Sequence, residues 1–109
     1  MNRGDIFLVD FNPAKGGEVG KLRPAIIMSQ KVDNDILDTV IVIPLSTVIE
    51  KDTMPYRVFI PKFENLEKNS DACINEIRAL SKNRIKQKLA TLNDKQLKTI
   101  QNCLCQIIS

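Results

Sequence analysis

Strand-forming runs joined by short links constrain this chain more than any other feature of it. Five stretches are dense in β-branched and aromatic residues: Asp5–Phe11, Pro24–Ser29, Thr39–Leu45, Tyr56–Ile60 and Ala72–Leu80. Parallel neighbours need crossover connections that usually carry a helix, and the links here are too short for a repeated βαβ arrangement. Thr39-Val40-Ile41-Val42-Ile43-Pro44-Leu45 is the clearest strand. It is apolar without alternation, which predicts a central position covered on both faces. Pro24–Ser29 has the same character. A small, strongly curved antiparallel or mixed barrel satisfies these constraints. A chain of 109 residues can bury one core, so residues 1–109 read as a single domain.

Between the strands, Ala14–Leu22 reads as a glycine-rich loop and Gln30–Leu37 as a turn or short helix. Glu50–Pro55 reads as a hairpin-like connection and Phe63–Asp71 as a polar excursion. Beyond Leu80 the apolar period changes. Ser81 is placed to cap a short helix through about Leu89. Asn93 caps a second helix, with Gln96 completing a capping box. Leu97, Ile100, Leu104, Ile107 and Ile108 mark the apolar stripe of that helix. The class expected is mainly β with helices.

Composition narrows the chemistry. The net charge is +3 and there is no histidine. Residues 1–55 hold 6 basic and 8 acidic groups, hence −2; residues 56–109 hold 10 and 5, hence +5. This balance permits nucleic-acid binding without requiring it. The missing histidine removes the commonest transition-metal ligand and the usual neutral-pH proton carrier. Proton transfer then falls to carboxylates, Lys, Tyr, Cys or hydroxyls, and no metal or other cofactor is expected. Three cysteines, an odd number, argue against a secreted disulfide framework. Cys103 and Cys105, two apart on a helix, diverge too far to pair and read as buried thiols. No apolar run reaches the roughly 18 residues of a membrane span. The opening residues run straight into a strand with no signal peptide. A cytoplasmic protein is the expectation. Gly16–Lys21 is not a phosphate loop, because Lys15 and Leu22 stand where Gly and Ser or Thr are needed.

One constellation remains. Glu18 lies in the glycine-rich loop, Arg23 at its far end, and Ser46 and Thr47 at the exit of the central strand. In a small barrel, adjacent strands can bring these onto one rim. A guanidinium is a permanent positive fork suited to phosphate, a hydroxyl can donate to a phosphate oxygen, and a partly desolvated carboxylate can serve as a base. Together they suffice for transesterification of RNA by its own 2′-OH. Taken singly, each has a bland explanation: a solvated loop acid, an arginine covering a barrel end with its stem, and an ordinary turn start.

The frame around these residues resembles a known family. Arg3-Gly4-Asp5-Ile6-Phe7-Leu8-Val9-Asp10-Phe11-Asn12-Pro13 resembles the opening of the MazF/PemK (Kid) toxins. Lys15-Gly16-Gly17-Glu18-Val19-Gly20-Lys21-Leu22-Arg23-Pro24-Ala25 is similar to that family's KG-S-E-x-G-x-x-RP loop, with Gly17 where serine is common. Ile43-Pro44-Leu45-Ser46-Thr47 looks like its hydroxyl-tipped strand end, and Ile74-Asn75-Glu76-Ile77-Arg78-Ala79-Leu80 resembles its x-x-Q-I-R-x-I strand.

The resemblance implies a type II toxin: a sequence-specific, metal-independent endoribonuclease. It would cut single-stranded mRNA and leave a 2′,3′-cyclic phosphate and a 5′-hydroxyl. It also implies a small SH3-like barrel (MazF/CcdB-like) with a C-terminal helix, a homodimer, and a cognate antitoxin protein as partner. By position it assigns catalysis to Arg23, Ser46 and Glu18. RNA binding falls to Lys15, Gly17, Lys21, Thr47, Asn75, Glu76 and Arg78. The chain departs from the family pattern at Ser46, where threonine is usual, and at Asn75, where an acidic residue is usual. Two alternatives fit the same frame: a non-enzymatic CcdB-like gyrase poison, and a catalytically inactive RNA-binding module.

Overall fold

The structure, a computed structural model, describes residues 1–12 and 21–109. β1 (Asp5–Asn12), β2 (Lys21–Ile27) and β3 (Thr39–Ser46) run antiparallel in that order, with the short helix α1 (Lys31–Ile36) between β2 and β3. β4 (Arg57–Ile60), β5 (Ser70–Cys73), β6 (Arg78–Ser81) and β7 (Ile85–Thr91) follow, and α2 (Asp94–Ile108) closes the chain. The strand order is β4-β5-β3-β2-β1-β7, with β6 also paired to β3. Among the described residues no ladder joins β4 to β7, so the expected barrel is left open there.

The missing alternation in the central strand has a direct cause: β3 separates two cores. Ile43 and Leu45 face the cluster of Ile6, Ile26, Ile60 and Ile74, which α2 covers with Ile100 and Cys103. Val40 and Val42 face the opposite cluster of Val9, Ala25, Ile27 and Leu80. Val42 through Leu45 are therefore buried without a break, and each of Val42, Ile43 and Leu45 contributes about 1.5–3 kcal/mol, while Ile41 is exposed. β2 repeats the arrangement, with Ile26 on one side and Ala25 and Ile27 on the other.

α2 begins as predicted. Gln96 N–H donates to Asn93 Oδ1 (2.8 Å) and Asn93 N–H donates to Gln96 Oε1 (3.0 Å), a complete capping box. Leu97, Leu104 and Ile107 pack against the first cluster, while Ile108 at the end of the helix is exposed. Gly4 has φ of 96°, and a Cβ there would lie 3.3 Å from Leu97 Cδ2, so glycine suits both the backbone and the approach of the helix. No helix of the described residues is long and apolar enough to cross a membrane.

Several expectations fail. Ala72–Leu80 is not one strand but β5 and β6, separated by a 3₁₀ turn over Ile74–Glu76. Both pieces pair with the same edge of β3: Leu45 faces Ala72, and Val42 faces Arg78. Three steps along β3 thus answer six along the other chain, and the turn absorbs the excess. The helix expected from Ser81 to about Leu89 is instead a 3₁₀ turn at Lys82–Arg84 followed by β7, and Ser81 makes no side-chain cap. β7 covers the free edge of β1. Two irregularities in that ladder break its alternation, so Leu89 packs on the first cluster and Ile85 on the second, although residues four apart in a regular strand share a face. Cys103 is buried as expected, but Cys105 is exposed. The loop read over Ala14–Leu22 also ends early, since Lys21 and Leu22 already belong to β2.

Candidate active site

Strand register carries Arg23 to the end of β3. Ala25 faces Pro44 across β2 and β3. The ladder ends at that pair, and carrying its register two residues further puts positions 23 and 46 on the same face. Arg23 Nη2 donates to the carbonyl oxygen of Leu45 at 3.1 Å, which ties the half-buried guanidinium to the backbone of the residue before Ser46.

Phe11 gathers the charges. Val9 faces Arg23 across β1 and β2, so Phe11 is its diagonal neighbour. The guanidinium carbon of Arg23 lies 5.6 Å from the Phe11 ring centre, and that of Arg78 lies 5.8 Å from the same ring. Arg84 Nη1 donates to the Phe11 carbonyl at 3.2 Å. Two guanidiniums sharing one ring repel each other, and an anion between them removes that repulsion while accepting hydrogen bonds from both. Phe11 and Arg84 were not singled out from the sequence as site residues. The signal available was the spacing of Phe11 two residues from Val9, on the face that β2 presents with Arg23.

Ser46 Oγ accepts the Val48 N–H at 3.2 Å. The hydroxyl can still donate its own hydrogen, and among the described residues nothing accepts it. Thr47 is exposed and borders a different cavity of about 560 Å³, with Leu8, Pro24 and Leu89, so the two adjacent hydroxyl residues serve different faces. Asn75 and Glu76 are exposed on the 3₁₀ turn that splits the expected strand. They border a cavity of about 470 Å³ with Tyr56, Arg57 and Glu50. The break in the strand is what presents them. Cys73, just before the turn, is fully buried, and burial pushes its thiol up from 9.0 to about 11. The Glu76 carboxylate adds to that shift, while the charges of Arg57 and Arg23 oppose it. A thiol held protonated in this way is a poor nucleophile.

Of the remaining candidates, Lys21 opens β2 opposite Asn12 and is exposed. Lys15, Gly17 and Glu18 lie outside the described residues. The structure therefore brings Arg23 and Arg78 to one ring, ties Arg23 to the backbone next to Ser46, sets Asn75 and Glu76 on a turn within the same sheet, and turns Thr47 away. Among the described residues no group of three Cys, Asp or Glu side chains converges as a metal site.

Residues 2–108 match the profile of a family described as a PemK-like, MazF-like toxin of type II toxin–antitoxin systems. The endoribonuclease MazF of Staphylococcus saprophyticus is 39% identical over 105 residues, covering 95% of this chain and 88% of that one. In fold, the chain is similar to the Mycobacterium tuberculosis toxin MazF-mt6, with a TM-score of 0.78, 16% identity, and coverage of 94% and 93% of the two chains. A MazE–MazF crystal structure from Deinococcus radiodurans gives a TM-score of 0.80 at 19% identity, covering 99% and 95%.

Proposed function

We propose that this chain, which belongs to the PemK-like, MazF-like toxins of type II toxin–antitoxin systems, is an endoribonuclease toxin that cuts single-stranded mRNA by attack of the substrate's own 2′-OH. The observation that carries the reading is the pair of guanidiniums, Arg23 and Arg78, over Phe11, with Arg23 tied to the Leu45 carbonyl at the end of β3. The 2′-oxygen bonds to phosphorus, the bond from phosphorus to the 5′-oxygen breaks, and the products are a 2′,3′-cyclic phosphate and a 5′-hydroxyl. Charge accumulates on the non-bridging oxygens as the fifth bond forms. Fixed donors aimed at that charge stabilise it without reorganising at the moment of reaction, and losing one such donor costs about 10²–10³ in rate. Arg23 is the principal clamp and Ser46 the hydroxyl donor. Glu18 takes the 2′-OH proton, and the departing 5′-oxygen recovers one from solvent. No step calls for a divalent ion.

Lys15, Gly17, Lys21 and Arg78 follow the RNA backbone, and Thr47, Asn75 and Glu76 contact bases or sugars. Unstacked bases of a single strand can be read on their edges, which underlies sequence-specific cleavage. The protein acts as one domain, residues 1–109, in a homodimer within the cytoplasm. A cognate antitoxin covers the arginine-lined face. The crystal structures of MazE with MazF support an antitoxin partner, and the S. saprophyticus relative's name supports the activity.

Purified protein incubated with a long RNA in EDTA tests the reading. Cleavage that survives the chelator and disappears in Arg23→Ala is the expected result. Intact RNA with a gel shift would favour a binding module. Intact RNA together with gyrase trapped on DNA would favour a CcdB-like poison.

A further inference from the structure

The turn after β3 is held by a buried ion pair that the sequence places far apart. Asp71 on β5 is almost fully buried. Its Oδ2 accepts the Glu50 N–H at 2.8 Å and lies 3.5 Å from Arg57 Nη1. The same Arg57 Nη1 donates to the Val48 carbonyl at 3.0 Å, and Arg57 Nε lies 3.3 Å from Glu50 Oε2. Val48 N–H in turn donates to Ser46 Oγ. A continuous path therefore runs from the Asp71 carboxylate through the Arg57 fork to the Val48 carbonyl, and across the Val48 Cα to its N–H and the Ser46 oxygen. Ser46 also faces Asp71 across the β3–β5 ladder, so the start and end of the path are locked to one another.

We propose that Arg57 is a positioning residue for Ser46: anchored by Asp71, it fixes the backbone on both sides of the Val48 Cα so that the Ser46 hydroxyl points its hydrogen at the reacting phosphate. The inference rests on the nuclease reading above. Serine at position 46 makes such a device useful, because its side chain lacks the β-methyl that restricts rotation in threonine. The Val48 N–H supplies the missing restraint by occupying one lone pair of the oxygen. A guanidinium is suited to the task because its planar fork reaches Asp71, Glu50 and the Val48 carbonyl at once, whereas an ammonium presents a single point of charge.

The test uses the full chain with Arg57→Lys, which keeps the charge against Asp71, and Asp71→Asn, which keeps an acceptor for the Glu50 N–H. Steady-state RNA cleavage in EDTA separates kcat from KM, and amide hydrogen exchange at Val48 follows the clamp directly. Arg57→Lys is expected to lower kcat about tenfold, the rate equivalent of one lost hydrogen bond, with KM within about twofold. Asp71→Asn moves kcat in the same direction. Val48 exchange accelerates in both variants while the amides of β1 and β2 stay protected. In a Ser46→Ala background, Arg57→Lys is expected to cost nothing further. An equal loss in that background, a loss confined to KM, or Val48 exchange at the wild-type rate would overturn the proposal. Wild-type protein that leaves RNA intact while Val48 exchange still responds to Arg57→Lys would overturn the nuclease reading, and with it the catalytic consequence assigned to Arg57.

Discussion

Replacing Phe11 with leucine removes the ring beneath Arg23 and Arg78 while leaving an apolar side chain against the second core. Both guanidinium carbons lie within 6 Å of the ring centre, at 5.6 and 5.8 Å. A cation–π contact contributes about 0.5–1 kcal/mol at an exposed site and more when desolvated. Arg78 is exposed and Arg23 is half-buried, so the pair together holds about 1–2 kcal/mol. If both arginines must be in place when the phosphate becomes pentacoordinate, that energy converts to a loss of about 5–30-fold in kcat/KM. Phe11→Tyr keeps the π face and is expected to stay within about twofold of wild type. The assay is cleavage of a fluorogenic RNA in EDTA, with thermal unfolding of each variant run alongside. Leucine with unchanged kcat/KM would refute the argument, as would tyrosine failing as badly as leucine. A loss that tracks unfolding in both variants would show that the ring acts through packing alone.

Other outcomes follow from the packing and the titrating groups. Ile43→Ala removes a fully buried side chain from the central strand and is expected to cost about 2–5 kcal/mol in urea unfolding; a cost below 1 kcal/mol would contradict the two-core account of β3. Folding raises the Cys73 thiol from 9.0 to about 11, so the folded state holds that proton more tightly than the unfolded chain does. The corresponding stability is present below pH 9 and fades as pH climbs through about 11. The urea midpoint of wild type should therefore fall more steeply than that of Cys73→Ala between those pH values, and parallel slopes would refute the assignment.

The sequence and the structure agree where local chemistry and packing ask for the same thing. β1, β3 and β4 are dense in branched and aromatic residues and need no tertiary rescue, and the Asn93 capping box is complete within four residues. The approach of Arg23 to the end of β3 is accessible as well, because β2 and β3 are sequence neighbours that pair antiparallel. The failures are long-range. Nothing local in Ile74-Asn75-Glu76 marks a 3₁₀ turn; it arises because β5 and β6 share one edge of β3 and a residue surplus must go somewhere. β7 carries helical spacing, and its strand character comes from the open edge of β1. Arg57 and Asp71 stand in what reads as a strand and a polar excursion, and their pairing exists only once β4 and β5 are side by side. Cys105 points outward although its neighbour Cys103 is buried, since two positions on a helix face different ways.

The central claim is that a ribose oxygen performs the cut while the protein holds the phosphate. Its most direct test is an RNA oligonucleotide carrying a single 2′-deoxy residue immediately 5′ of the scissile phosphate, incubated with wild-type protein in EDTA and analysed by mass spectrometry. The all-ribo control should yield a 2′,3′-cyclic phosphate fragment and a 5′-hydroxyl fragment, and the 2′-deoxy substrate should remain whole at that bond. Cleavage of the 2′-deoxy bond at a comparable rate would contradict the account, because the nucleophile would then have to come from elsewhere.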